Sequence, residues 1–430
     1  MREKRSVHGK PWWISLFFLC ALAAGTNAGA QEAPRPASFY VDAALSKNPS
    51  ISAMQERIRM KENAAIRAGA LDDPKAWIGL TNVPVRSWSF REEDMTGKEI
   101  GLSQMFPFPG KLKTRTDIAT REKEQTGHDL QEMRNMLRSE IKMAYAELTH
   151  VRKQTEDTRR SREILKDIVA ISQEMYAVGK VTQADVHRGQ LEFEKMRDML
   201  LKLENREKVL SFRLNTLAAL PPDDPVPELE HQQEFVHPFR AEDLVKSYKE
   251  DRPARKSMES RIRKAEASVE MAKLEFYPDF EVSASYMQRD AMPDGTSRQD
   301  MFSSMLLVNL PIWRKSKLEP AVREMTAERE MARRELENLD LETTNAIRRS
   351  LSTMENTGNI ATLYRTTLIP HAETAFEVNL EAYRVGKIDF PMLLDSIMAV
   401  LSYRKGYHEM LGDQYMEKAR LEAAVGRELN

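Results

Sequence analysis

Hydrophobic positions along this chain follow two periods. Between Lys113 and Ser172, Leu130, Met133, Leu137, Ile141, Ala144, Leu148 and Val151 are spaced by three or four residues. That is a heptad seam, a narrow apolar stripe on an otherwise charged helix. The stretch holds no proline and one glycine. At 1.5 Å per residue it predicts a rod on the order of 90 Å, suited to side-by-side packing in a wall of helices. Four short segments alternate instead. In "KAWIGLTN" (75–82), Ala76, Ile78 and Leu80 share a side; in "KEIGLSQMF" (98–106), Ile100 and Leu102 oppose Gly101 and Ser103. "FEVSASYM" (280–287) and "MFSSMLLVNLP" (301–311) repeat the pattern, with Phe280, Val282, Ala284 and Tyr286, then Phe302, Leu306 and Val308. Period two predicts strands. Apolar positions opposite small or polar ones fit strands with lipid on one side and a lumen on the other. A soluble hairpin packed on helices would share the alternation. Pro107, Pro109 and Pro311 lack a ladder donor and are expected to end the strands. With Gly110 they mark the strand exits, the first leading into a helix near Lys113.

The chain also repeats itself. At an offset of 204, Pro49 meets Pro253, Arg57-Ile58-Arg59 meets Arg261-Ile262-Arg263, Pro74 meets Pro278, Pro107 meets Pro311 and Lys111 meets Lys315. At 207, "MYAVGKV" (175–181) meets "AYRVGKI" (382–388). Each half is expected to run helix, two strands, long helix, glycine turn, long helix, over 31–222 and 240–430. Residues 223–239, proline-rich and acidic, read as the linker. Four strands cannot close a barrel, and open edges are not tolerated in lipid. Several copies must pool strands, and three would supply twelve.

Composition adds the compartment. Residues 1–30 have a basic start, an apolar run from Trp12 to Ala24 and Ala28-Gly29-Ala30, the form of a cleaved secretory signal peptide. The run is shorter than the ~20 residues a membrane span needs. Cys20 is the only cysteine, so the remaining chain can form no disulfide or thiolate site. Net charge is -1, which excludes an electrostatic nucleic-acid partner. No nucleotide, zinc-protease or nucleophile-elbow motif is present, and the eight histidines lack ligand spacing. The chain therefore reads as no enzyme, with no cofactor and no metal site. The 24 methionines would suit a soft cation, but they also serve as helix formers and core filler.

Asn48-Pro49, the strand exit "FPFPGK", the two Y-x-V-G-K turns and the duplication resemble the TolC family of outer-membrane efflux factors, over the whole mature chain. The "FPFPGKL" form is most similar to the cation and heavy-metal efflux branch. The resemblance implies a mainly α fold with a small β part. Long helices would form a trimeric periplasmic tunnel, and four strands per chain would enter a shared 12-stranded barrel in outer-membrane lipid. Such a homotrimer would be the exit duct of a tripartite system with a periplasmic adaptor and an inner-membrane efflux pump. The turns Val178-Gly179-Lys180 and Val385-Gly386-Lys387 would be adaptor-docking tips. Asp185 and Tyr383 would form a hydrogen-bonded pair at the periplasmic gate, and Asp395 would belong to its narrowing ring. Met392 and Ile388 depart from the family pattern, replacing a second ring aspartate and a gate arginine. A soluble periplasmic coiled-coil scaffold or adaptor is the competing expectation; it accounts for the helices but not for the matched strand phases.

Overall fold

A computed structural model describes residues 34–429. The expected signal peptide lies outside them. Two short helices come first, α1 (Ala37–Lys47) and α2 (Pro49–Ala68). Asn48 separates them, accepting the Ser50 N–H at 2.9 Å while Pro49 fills the first helical position. Strands β1 (Lys75–Thr81) and β2 (Gly97–Phe106) follow, then α3 (Lys111–Ala177) and α4 (Gln183–Leu217). The second half repeats this order with α5 (Ala241–Asp251), α6 (Pro253–Leu274), β3 (Phe280–Gln288), β4 (Met301–Val308), α7 (Glu319–Leu363), α8 (Ile369–Arg384) and α9 (Phe390–Val425). Arg252, before Pro253, has the same backbone angles as Asn48.

Helix α3 starts at Lys111, two residues earlier than expected, and its 67 residues span roughly 100 Å. Of the predicted seam, Leu130, Ile141, Ala144, Leu148 and Val151 are buried, while Met133 and Leu137 are half-buried. The matching helix of the second half is not continuous. A π-helical turn, Tyr364–Leu368, divides α7 from α8 just before Pro370. Pro370 has no N–H and its ring crowds the preceding turn, so the ladder widens there.

The four strands form one antiparallel sheet in chain order, leaving β1 and β4 as edges. Its registers put Ile78, Ile100, Tyr286 and Phe302 in one row, all outward and exposed. Ile78 is 84% exposed and Leu306 62%, whereas Ser103 on the other face is 7% exposed. On that inner face the Trp77 ring covers Gly101, where a Cβ would lie 2.1 Å from it. Strand β4 ends at Val308, not at Pro311, because Leu310 and Pro311 have no partner strand within the chain. No helix among the described residues is long and apolar enough to cross a membrane.

Candidate functional site

Both glycine turns are built alike. In the first, the Gly179 N–H donates to the Tyr176 carbonyl and the Lys180 N–H to that of Met175, both at 2.9 Å. In the second, the Gly386 N–H donates to Tyr383 at 2.9 Å and the Lys387 N–H to Ala382 at 2.8 Å. This paired closure needs a left-handed residue, and the glycines have φ of 75° and 73°. Val178, Lys180, Val385 and Lys387 are exposed around them. One apolar cluster lies behind both turns, joining Leu165, Ile168 and Met175 of α3 to Tyr383, Phe390 and Leu394. The turns therefore sit side by side at one end of the helices.

Tyr383 is fully buried, its ring 5.9 Å from that of Phe390. Its hydroxyl lies 2.9 Å from Ser172 Oγ, which itself donates to the Ile168 carbonyl at 2.9 Å. Tyr383 is therefore the donor to Ser172. Burial holds its phenol above the ordinary range, and the Asp185 charge adds to this. The expected Asp185–Tyr383 hydrogen bond is not made within the chain. Asp185 instead completes a capping box at the start of α4, accepting from Thr182 N at 3.1 Å and Thr182 Oγ1 at 2.7 Å. A helix start leaves free N–H groups that a carboxylate satisfies locally, and Ser172 is the nearer partner for the buried phenol. Asp395 is exposed on α9, one turn from exposed Met392.

Two polar clusters were not visible in the sequence. In the first, Asp157 of α3 meets His408 Nε2 at 3.0 Å and Arg404 at 3.3 Å, and Arg404 also binds Glu373 of α8. These residues tie three helices together. Burial would raise the Asp157 pKa, but His408 and Arg404 outweigh it and hold the carboxyl below the ordinary range. A depressed carboxylate stabilises the fold above its unfolded pKa of about 3.9 and loses that contribution as pH falls through its lower folded value. Asp157→Asn is expected to cost about 1–3 kcal/mol at pH 7, with a lower thermal midpoint. The gap from wild type should close below about pH 4. Equal midpoints at pH 7 would remove the cluster as a structural tie.

The second cluster lies at the strand exit. Pro107 and Pro109 lie between β2 and α3, and Gly110 has φ 103° just before the helix. Lys111 is buried, its ammonium 2.9 Å from Asp279 and 3.4 Å from both Glu275 and the Tyr277 carbonyl. Asp279 also accepts the Phe108 N–H at 2.7 Å, and Phe108 stacks on Tyr277 at 4.5 Å. The exit of the first half is thus clamped to the start of β3. Pro311, the second exit, lies three residues beyond β4 in an exposed stretch. Among the described residues no group of three or more His, Cys, Asp or Glu side chains is placed to hold a metal ion.

The family model described as "outer membrane efflux protein" matches residues 40–219 and 244–427. Among curated proteins there is no match. Solved structures share the fold at low identity. VceC, an outer membrane protein of Vibrio cholerae, is 18% identical with a TM-score of 0.76, over 92% of this chain and 97% of that one. CusC, a transmembrane channel, is 11% identical with a TM-score of 0.76, over 91% and 92%. The outer membrane channel CmeC of Campylobacter jejuni is 16% identical with a TM-score of 0.74, over 91% and 85%.

Proposed function

We propose, from the premise that this chain belongs to the outer membrane efflux protein family, that three copies close one exit duct served by a periplasmic adaptor and an inner-membrane pump. The chain is an efflux channel of the outer membrane, with its helices in the periplasm. The observation that carries the finer reading is the sheet: one outward apolar face over four strands, and two edges with no partner. In lipid such edges must pair, and further copies of the sheet supply the strands. Conduction is passive, and the reading needs no bond-making residue, cofactor or nucleic acid.

In this reading Val178-Gly179-Lys180 and Val385-Gly386-Lys387 are the surfaces that meet the adaptor. Tyr383 and Asp185 brace the mouth through Ser172 and Thr182 rather than through each other. Asp395, repeated around the axis, gives the mouth a negative ring that favours cations. For cargo, the inner face of the sheet favours a soft metal cation, with Glu99 opposite Met287 and Met287 opposite Met301.

The tips supply the test. A Cβ at Gly179 or Gly386 meets nothing within 4 Å, so the positive φ alone opposes a side chain. Gly179→Val with Gly386→Val is expected to strain each turn by about 1–2 kcal/mol. Every 1.4 kcal/mol of lost docking is about a tenfold loss of affinity. Export measured in cells that depend on this chain should fall at least that far while assembled protein in the outer membrane stays constant. Undiminished export would remove the tips from docking.

A further inference from the structure

The duplication supplies a template for the seam between copies. Within the chain the halves join through β2 and β3, where Gln104 faces Val282, Leu102 faces Ala284 and Phe106 faces Phe280. Strand β4 is the second-half copy of β2, and β1 is the first-half copy of β3. Adding 204 on one side and subtracting it on the other turns those pairs into Val308–Ile78, Leu306–Leu80 and Leu310–Ala76. Resting on the assembly reading above, we infer that β4 of one copy pairs with β1 of the next in this register.

Three observations carry the register. The first is the lipid-facing surface. Ile78, Leu80, Leu306, Val308 and Leu310 are all exposed and apolar, and the register places them on one continuous face. The second is closure. Rows of paired residues run Ile78, Ile100, Tyr286, Phe302, and the seam carries Phe302 to position 84 of the next copy. A stagger of six residues over four strands is roughly 20 Å along and 19 Å across, a tilt of about 45°. Membrane barrels tilt by about 35–45°. A slip to Val308–Leu80 would steepen the tilt to roughly 54°, while a slip to Leu306–Ile78 gives roughly 35°. The second slip matters because the β3–β4 hairpin itself sits two residues from the β1–β2 register, with Glu281 rather than Asp279 opposite Leu307.

The third observation favours the unslipped seam. Pro107 and Pro311, and Pro74 and Pro278, hold the offset of 204 at both strand ends that meet. Lys111 is clamped onto the start of β3, but its copy Lys315 is exposed, as are Arg314 and Lys317. At the start of β1, Asp72 and Asp73 are exposed. Lys75 stands where Asp279 stands in the other half, so the carboxylates come two and three residues earlier. A second copy brings these opposite charges together, and strand pairing extends through Leu310 up to Pro311.

Disulfide trapping in the full-length protein, in a Cys20→Ser background, tests the register. Within one chain the two edges are three strand spacings apart, roughly 14 Å, too far for a disulfide. Leu306→Cys with Leu80→Cys should oxidise in outer membranes to reducible multimers. Leu306→Cys with Ile78→Cys, and Val308→Cys with Leu80→Cys, should give at least tenfold less. Leu310→Cys with Ala76→Cys reads the same register at the far end, should the first pair fail to assemble. Trapping at a slipped pair, or at none in a protein of multimeric native mass, overturns the register while leaving assembly standing. A monomeric native mass overturns both.

Discussion

Replacing Leu102 with arginine is expected to abolish assembled channel in the outer membrane. Leu102 lies mid-strand in β2, half-exposed on the apolar face, between Ala76 and Ala284. These small neighbours offer an arginine no partner. On the lipid face of a barrel, arginine costs about 2–4 kcal/mol near the bilayer centre. Three copies would multiply this to about 6–12 kcal/mol, comparable to the whole stability of a typical domain. Ser303→Arg is the control, because Ser303 faces the other way. It should assemble, since a lumen accepts charge. Native mass and the yield in outer-membrane fractions decide the matter. Wild-type yield for Leu102→Arg would place that face away from lipid and return the sheet to a soluble hairpin.

That prediction rests on alternation, which was legible because a strand's two faces are fixed by a local period of two. The same holds for the seam of α3 and for the turns at Gly179 and Gly386, whose hydrogen bonds close within six residues. What the sequence hid was long-range. Tyr383 finds Ser172, and Asp157 finds His408 and Arg404, through helices packed side by side after more than 200 residues of intervening chain. No spacing announces such pairs, so the scattered histidines gave no sign of the one that braces α3. Within one copy β4 stops short of Pro311 for a related reason. Asn309 still donates to the Asp279 carbonyl at 3.0 Å, but a ladder needs a neighbour, and within one copy Leu310 and Pro311 have none. The break at Pro370 could have been read from proline alone.

Lys111→Met is the second large effect expected, because it removes the buried cation of a charge pair. Lys111 is 1% exposed, and Asp279 is held against it at 2.9 Å. Breaking a fully buried pair by losing one partner costs about 3–5 kcal/mol, and Asp279, with 20% of its side chain exposed, relieves part of that. Glu275 is partly exposed and can turn to water, which places the effect toward the lower end. Methionine fills the space of the lysine stem, so packing changes little and the loss reports charge. Asp279→Asn separates the contributions. The asparagine oxygen can still accept the Phe108 N–H that Asp279 takes at 2.7 Å, but it carries no charge for Lys111 to neutralise. In the double variant no lone buried charge is left, so stability should recover part of the loss, with a coupling of about 1–3 kcal/mol between the two sites. Thermal midpoints of the four proteins in detergent measure it. The clamp joins the first turn of the longest helix to the start of a strand from the other half, at the junction of sheet and helices. A weakened junction should therefore melt the sheet before the helices, seen as two transitions where a single one is expected for wild type. Additive midpoints in the cycle would mean that Lys111 and Asp279 lie near each other without holding the two halves together.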